Sequence, residues 1–164
     1  MAPPPADEPI RHTVTVPVPA EQAFAAFVDL ARWWPREYTW AAGTLEDIGI
    51  DPRREGGLCY ERGPNGFTCH WGRVLAWDPP ARLVFTWQIG PDRVPQPDPS
   101  KASEVEVRFH PTADGATRVE LEHRALARHG DAAATYRQAM ASAEGWPYIL
   151  DRYAGGTSPP NPLL

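Results

Sequence analysis

Apolar and polar residues alternate in several short runs of the chain, a pattern typical of half-buried β-strands. The first run places apolar side chains and one histidine on one face, at Ile10, His12, Val14, Val16 and Val18. Further strand-like runs cover residues 45–50, 58–62, 68–77 and 82–89, separated by glycine-rich and proline-rich turns. The pattern predicts a sheet built from consecutive strands.

The clearest hairpin follows after residue 103. Its apolar positions are Val105, Val107 and Phe109 on one strand and Val119 and Leu121 on the next, with a turn near Asp114-Gly115. The positions between them are charged: Glu104, Glu106, Arg108, Arg118, Glu120 and Glu122. This hairpin is therefore expected to bury one face and to carry complementary charges on the other.

Helical spacing occurs on both sides of these strands. Residues 19–29 predict a short helix after the first strand, and Arg32-Trp33-Trp34-Pro35 predicts a helical turn. Residues 131–153 predict a long C-terminal helix with one apolar stripe. Pro147 lies inside that stripe, close to Gly145, so the helix should kink or break there.

This order of elements is typical of an α+β fold, with an antiparallel sheet of about six strands. The C-terminal helix is the only element long enough to cover the apolar face, and a curved sheet wrapped around it leaves room for a cavity. Residues 10–154 are predicted to form this single domain. Prolines near both ends predict a disordered tail at residues 1–9 and an extended tail at residues 155–164.

Charge and composition narrow the classes of function. The chain has 164 residues and a formal net charge of -5, which disfavours binding to nucleic acid. No apolar run is long enough to cross a bilayer, so a cytoplasmic protein is expected. Two cysteines are too few for a disulfide framework or for a zinc site made from cysteines alone. No nucleophile elbow, phosphate loop or dinucleotide fingerprint occurs, and no cofactor or metal is predicted.

Several segments together resemble a known family. They are Pro19-Ala20-Glu21-Gln22-Ala23-Phe24-Ala25-Ala26-Phe27, Trp33-Trp34-Pro35, the strand pair from Gly72 to Trp87, Ser103 to Phe109, Thr117 to His123, and Gly145-Trp146. The chain resembles the SRPBCC (START-like, birch-pollen-allergen-like) superfamily, and within it the family of heat-shock-protein ATPase activator homologues. The resemblance implies a helix-grip fold. It carries over no catalytic motif, and the family name alone implies a chaperone ATPase partner and a stress-response role.

The seven tryptophans suggest the content of the predicted cavity. Flat aromatic side chains bind hydrophobic molecules through area and stacking, although core packing explains a single tryptophan equally well. We therefore expect a domain that binds a small hydrophobic molecule, as a monomer or homodimer. The candidate ligand-binding residues are Trp33, Trp34, Tyr60, His70, Phe85, Trp87, Phe109, His123, Trp146 and Leu150.

Other interpretations of the same residues stay open. A cyclase-, aromatase- or hydrolase-like enzyme could use His12, His123 or Tyr60 as proton carriers. Modulation of a chaperone or another ATPase would require an exposed binding patch. Symmetric pairing of the hairpin at residues 58–77 would bring Cys59 near His70, as a thiolate–imidazole pair or a metal corner. The segment 90–101 could be a lid over the cavity or an ordinary surface loop.

Overall fold

The structure, a computed structural model, describes residues 8–157 of the chain. Of the predicted tails at residues 1–9 and 155–164, positions 1–7 and 158–164 lie outside the described residues. The strands are β1 (Ile10–Val16), β2 (Asp47–Asp51), β3 (Leu58–Arg62), β4 (Thr68–Asp78), β5 (Arg82–Trp87), β6 (Ser103–Pro111) and β7 (Thr117–Arg124). The α-helices are α1 (Ala20–Val28), α2 (Ala133–Ala141) and α3 (Trp146–Gly155), and short 3-10 turns include Leu30–Arg32, Arg36–Tyr38 and Leu126–His129.

The strands form one curved antiparallel sheet in the order β1-β7-β6-β5-β4-β3-β2. The predicted α+β fold class is confirmed, with seven strands where about six were expected. From β2 onward each strand pairs with the next one along the chain, and β1 pairs with the last strand, β7. The two edges, β1 and β2, are therefore at opposite ends of the sheet.

The two faces of the sheet differ as the alternation predicts. In the β6–β7 pair, Val105 lies opposite His123, Val107 opposite Leu121 and Phe109 opposite Val119, and all six side chains are buried. The residues between them point to the outer face and form ion pairs. Arg124 pairs with Glu104 and Glu122, and Arg128 pairs with Glu104.

Glu106 is the centre of this charged face. Its side chain is only 4% exposed and accepts hydrogen bonds from Arg82 at 2.6 Å, from Arg108 at 2.9 Å and from Arg124. Burial alone would raise the pKa of the Glu106 carboxyl, but the hydrogen bonds from the three arginines lower it to about 2. Glu106 is therefore ionised over the physiological pH range and holds three positively charged side chains together.

We expect Glu106→Gln to lower the free energy of unfolding at pH 7 by about 2 kcal/mol, because three guanidinium groups lose their shared anion. Urea denaturation measures this loss. The matched control is Glu120→Gln on β7, since Glu120 is more exposed and its ion-pair partner within residues 8–157, His110, is 3.9 Å away. Equal losses of unfolding free energy in the two variants would show that Glu106 contributes no more to stability than an exposed glutamate.

The C-terminal helix is broken at the position that its sequence predicts. α2 ends at Ala141 and α3 begins at Trp146, with Pro147 in its first turn. A Cβ atom at Gly145 would lie 2.1 Å from the carbonyl oxygen of Met140, so only glycine allows this close turn. Two helices of 9 and 10 residues thus replace one long helix. No helix within residues 8–157 is long and apolar enough to cross a membrane.

Aromatic rings fill much of the space between the sheet and the helices. The ring centroid of Phe24 in α1 lies 5.2 Å from that of Phe109, and the centroid of Phe27 lies 5.1 Å from that of Tyr153 in α3. Trp33 packs 5.3 Å from Tyr153. The interior beside α1 is therefore solid core, so the expected hollow along the helix does not exist there.

Candidate ligand-binding site

A cavity of about 400 Å³ opens at one end of the interior, beside the break between α2 and α3. Its volume falls in the usual range for small-molecule sites. Its main apolar lining consists of Trp34, Trp40, Trp87, Ile89, Met140 and Ile149, and its polar lining consists of Glu37, Tyr38, Thr39, Arg93, Ser142 and Glu144. The cavity thus combines large apolar surfaces with a few polar groups, which is typical of a binding site.

Two indole rings form the deep wall of this cavity. The centroids of Trp34 and Trp87 are 6.2 Å apart, and Trp34 also packs against Trp71 at 5.6 Å. The Nε1–H of Trp87 donates a hydrogen bond of 2.8 Å to the hydroxyl of Tyr136, which donates in turn to the carbonyl oxygen of Ile89. Burial raises the pKa of Tyr136 to about 12, so its hydroxyl keeps the proton needed for this bond. Trp87 is therefore held in one orientation.

A third indole, Trp146, supports this wall from behind. Trp146 is fully buried, and its ring centroid lies 5.2 Å from that of Trp87. Its Nε1–H donates to Nδ1 of His123 at 2.9 Å. An indole nitrogen only donates, so Nδ1 accepts and a neutral His123 carries its proton on Nε2. Nε2 of His123 therefore donates to Oγ of Ser103, and these two atoms are 2.7 Å apart. The same Oγ is also 2.7 Å from Nε2 of His129.

His123 is consequently a supporting residue and not a proton carrier in the cavity. Burial is the main cause that lowers its pKa, to about 3, with a smaller contribution from the charge of His129. Both ring nitrogens have partners, and the side chain is fully buried. The neutral ring therefore fixes the position of Trp146.

The outer wall is an irregular segment, residues 35–44, held in place by polar contacts. The carboxylate of Glu61 accepts hydrogen bonds from the backbone N–H groups of Ala41 at 2.7 Å and Trp40 at 3.2 Å. Burial raises the pKa of Glu61, although these two bonds oppose the shift. The Nε1–H of Trp40 donates to the carbonyl oxygen of Arg93 at 2.7 Å. Trp40 thus joins this wall to segment 90–101.

Segment 90–101 folds back on the end of β5 instead of extending into solvent. Ile89 forms a β-bridge with Pro95, and the backbone N–H of Gln96 donates to the carbonyl oxygen of Gln88. The side chain of Gln88 donates to the carbonyl oxygen of Gln96 at 3.0 Å. The segment contributes Arg93 to the cavity lining and so forms part of the wall.

The structure separates the ten predicted binding residues into groups. Trp34 and Trp87 line the cavity, and Trp146 and His123 lie directly behind Trp87. Trp33, Phe85, Phe109 and Leu150 belong to the solid core. The Nε1–H of Trp33 donates to the carbonyl oxygens of Ala26 and Phe27, each at 3.1 Å, which ties Trp33 to α1.

Tyr60 and His70 lie away from this cavity. The hydroxyl of Tyr60 donates to Asp47 at 2.7 Å, and the guanidinium of Arg62 lies 4.1 Å from the ring centroid. His70 is exposed and lines a separate, open groove with Phe67, Arg73 and the prolines of segment 90–101. Neither side chain meets the indoles of the deep wall.

The expected proximity of Cys59 and His70 is wrong. A β-bulge after Cys59 shifts the register, so Tyr60 pairs with His70 and Cys59 pairs with Gly72. Burial raises the pKa of the Cys59 thiol, which keeps it protonated and unreactive. Within residues 8–157, no group of three His, Cys, Asp or Glu side chains is placed to hold a metal ion.

The proton carriers of the enzyme interpretation do not converge. His12 lies on the edge strand β1, Tyr60 lies on β3 near the other edge, and His123 is enclosed behind Trp146. General acid–base catalysis needs its groups within hydrogen-bond reach of one open space. The sheet order separates Tyr60 from both histidines, and His123, although its strand pairs with β1, has both ring nitrogens bonded and no access to the cavity.

Fold and cavity together define a helix-grip domain with a cleft lined by aromatic side chains. Residues 17–154 match the family described as activator of Hsp90 ATPase homolog 1-like protein, and the chain belongs to this family. No curated protein sequence matches the chain at a significant level.

Solved structures share this fold. The anthrahydroquino-γ-pyrone synthase Txn09, solved as a complex, is 36% identical, with 93% of this chain and 99% of that chain covered and a TM-score of 0.63. The self-sacrificing resistance protein CalC from Micromonospora echinospora is 28% identical, with coverages of 92% and 94% and a TM-score of 0.61. Protein NE0264 from Nitrosomonas europaea is 19% identical, with coverages of 93% and 95% and a TM-score of 0.63, and supports the fold alone.

Proposed function

We propose that the protein binds a planar, polycyclic aromatic small molecule in the cavity beside Trp34 and Trp87. The observation that carries this proposal is the deep wall, in which two indoles face about 400 Å³ of open space. Their polar and aromatic partners hold them in fixed orientations, so little conformational entropy is lost when a ring stacks on them. Flat ligands gain most from such a wall.

The similarity to Txn09 supports the same class of ligand. That protein is named as a synthase of an anthrahydroquinone-fused pyrone, which is a planar ring system. An identity of 36% over nearly the whole of both chains makes a related ligand shape the simplest expectation for this cavity. The binding residues that we propose for it are Trp34, Trp87 and the neighbouring Met140 and Ile149.

Thermal unfolding with a graded set of probes tests the proposal. We expect anthraquinone-2-carboxamide to raise Tm and quench tryptophan fluorescence more than 2-naphthamide, and dodecanamide to have the weakest effect. A ligand that binds only the folded state at 100 times its Kd stabilises it by about 2.7 kcal/mol. If dodecanamide stabilises the protein as strongly as the three-ring probe, the cavity does not select planar ligands and the proposal fails.

Ring closure is a second candidate, and it rests on the name of the Txn09 relative. In such a reaction a phenol oxygen of the bound molecule would form a bond to a carbonyl carbon of its 1,3-diketone chain, and loss of water would complete the γ-pyrone. A 1-(2-hydroxyaryl)-1,3-diketone is a suitable probe, with mass spectrometry to follow the loss of water. A rate equal to that without protein would eliminate this candidate.

The family name suggests modulation of a chaperone ATPase. We rank this function below ligand binding. Five large apolar side chains are exposed within residues 8–157: Tyr38, Trp40, Phe67, Leu75 and Val94. Tyr38 and Trp40 line the cavity and Phe67 lines the groove next to it, so three of the five surround small-molecule pockets. An increase in ATP turnover when the protein is added to a purified Hsp90-type chaperone would reverse this order.

A further inference from the structure

The charged groups of the cavity lining are unevenly distributed. Arg93 is the cation of this lining, and its guanidinium carbon lies 5.4 Å from the ring centroid of Tyr136 in α2. The backbone carbonyl oxygen of Arg93 accepts the indole N–H of Trp40 at 2.7 Å. Arg93 is therefore positioned where segment 90–101 meets α2 and the outer wall.

The two carboxylates of the lining belong to a different part of the wall. Glu37 accepts a hydrogen bond from the hydroxyl of Tyr148 in α3, and this bond is the main cause that lowers its pKa. The backbone carbonyl of Glu144 accepts a bond of 2.7 Å from the hydroxyl of Tyr38, whose ring packs 5.3 Å from Tyr148. The negative charges therefore cluster around the start of α3.

The guanidinium of Arg93 has no ion-pair partner among the described residues. Its neighbour Asp92 accepts a hydrogen bond from the backbone N–H of Val94 at 3.1 Å instead. The backbone of Arg93 has a φ of +66°, and its N–H donates to the carbonyl oxygen of Gly90 at 2.9 Å. A tight turn thus presents a free cation at the edge of an aromatic cavity.

We infer that the ligand is an acidic planar aromatic molecule, and that its carboxylate or ionised phenol oxygen binds Arg93. This inference rests on the proposed function and adds the chemical class and orientation of the ligand. A guanidinium donates strong, charge-assisted hydrogen bonds to such oxygens. The carboxylates Glu37 and Glu144 repel the same group, so the acidic end is directed to Arg93 and the rings to the indoles.

Two probes that differ only in charge test this inference: anthraquinone-2-carboxylate and anthraquinone-2-carboxamide. We expect the wild-type protein to bind the carboxylate more tightly in calorimetric titrations. Arg93→Gln should lower the affinity for the carboxylate by roughly 10-fold to 100-fold, which is the contribution of a hydrogen bond to a charged group. The affinity for the carboxamide should stay unchanged. Arg93→Lys should retain part of the preference, because the charge remains and the fork of donors is lost.

The control variant is Arg118→Gln, which removes an exposed positive charge from β7, away from the cavity lining. It should leave both affinities unchanged. If Arg93→Gln has no effect on the carboxylate, or weakens both probes equally while its circular dichroism is native, the inference is wrong. Binding of the carboxamide to the wild type would then still support the proposed function, whereas binding of neither probe would overturn both.

Discussion

Trp146→Ala is expected to cause the largest loss of stability of any single side-chain truncation near the cavity. Removal of a fully buried tryptophan costs about 3–5 kcal/mol, from lost apolar burial and the void left behind. Here the void would lie directly behind Trp87, and Nδ1 of His123 would lose its donor. Urea denaturation followed by far-ultraviolet circular dichroism measures the loss without relying on tryptophan fluorescence.

Trp146→Phe separates the hydrogen bond from the packing. Phenylalanine keeps most of the ring contact with Trp87 but leaves Nδ1 of His123 buried without a donor, which costs about 1–3 kcal/mol. We therefore expect a loss smaller than that of Trp146→Ala and still clearly measurable. A phenylalanine variant as stable as the wild type would show that the bond to His123 contributes nothing.

The protein should lose stability between pH 6.5 and pH 4.5 because of His123. Its pKa is about 3 in the folded protein and near 6.5 when unfolded, so the unfolded chain binds the proton first as the pH falls. The contribution of neutral His123 is complete above pH 6.5. It then decreases by about 1.4 kcal/mol for each pH unit, or roughly 3 kcal/mol by pH 4.5.

His123→Asn isolates this effect, because the asparagine oxygen can accept the indole N–H of Trp146 but does not titrate. We expect the variant to be less stable at pH 7 and to have a flatter pH profile between 6.5 and 4.5. Glu106, with a pKa of about 2, lowers the stability of the protein only as the pH falls below about 4.5. The raised pKa of Glu61 has the opposite effect, because protonation of that carboxyl favours the folded state. His129→Asn is the matched control: burial also lowers the pKa of His129, but this side chain is only half-buried, so its replacement should flatten the pH profile less than His123→Asn does. Parallel profiles for wild type and His123→Asn would contradict the prediction.

The fold could be predicted from local patterns, each of which lies within a single strand, hairpin or helix. Alternation in β1 and in the β6–β7 hairpin marks which face is buried, and the observed register agrees with it. Gly145 and Pro147 predict the break between α2 and α3 because their backbone restrictions do not depend on tertiary contacts. These signals lie within a few residues of the feature they determine.

The position of the cavity depends on contacts that no local pattern expresses. Glu37, Tyr38 and Arg93 come from irregular segments, placed by hydrogen bonds such as those from Trp40 to Glu61 and to Arg93. The nearest signal in the sequence is the Trp33-Trp34-Pro35 turn, which directly precedes Glu37 and Tyr38 in the chain and places Trp34 in the cavity wall. The bulge that separates Cys59 from His70 is likewise a property of the folded sheet and not of residue spacing.

The parity of a strand also cannot distinguish core from cavity. Leu83, Phe85 and Trp87 lie on the same face of β5, yet only Trp87 reaches the open space at the α2–α3 break. Phe109 shares the inner face too, but α1 covers it through Phe24 and Phe27. How far each helix covers the sheet therefore determines which inward-facing aromatic residues can meet a ligand.

Calorimetric titration of two tryptophan variants with anthraquinone-2-carboxamide tests most directly whether this cavity is the binding site. Ala139 and Ala134 are both exposed on α2, but only Ala139 lines the cavity, and the loss of helix propensity is the same in each replacement. The added indole of Ala139→Trp should occupy the ligand's space and abolish binding, while Ala134→Trp should bind like the wild type. Equal binding by both variants would show that the ligand lies elsewhere.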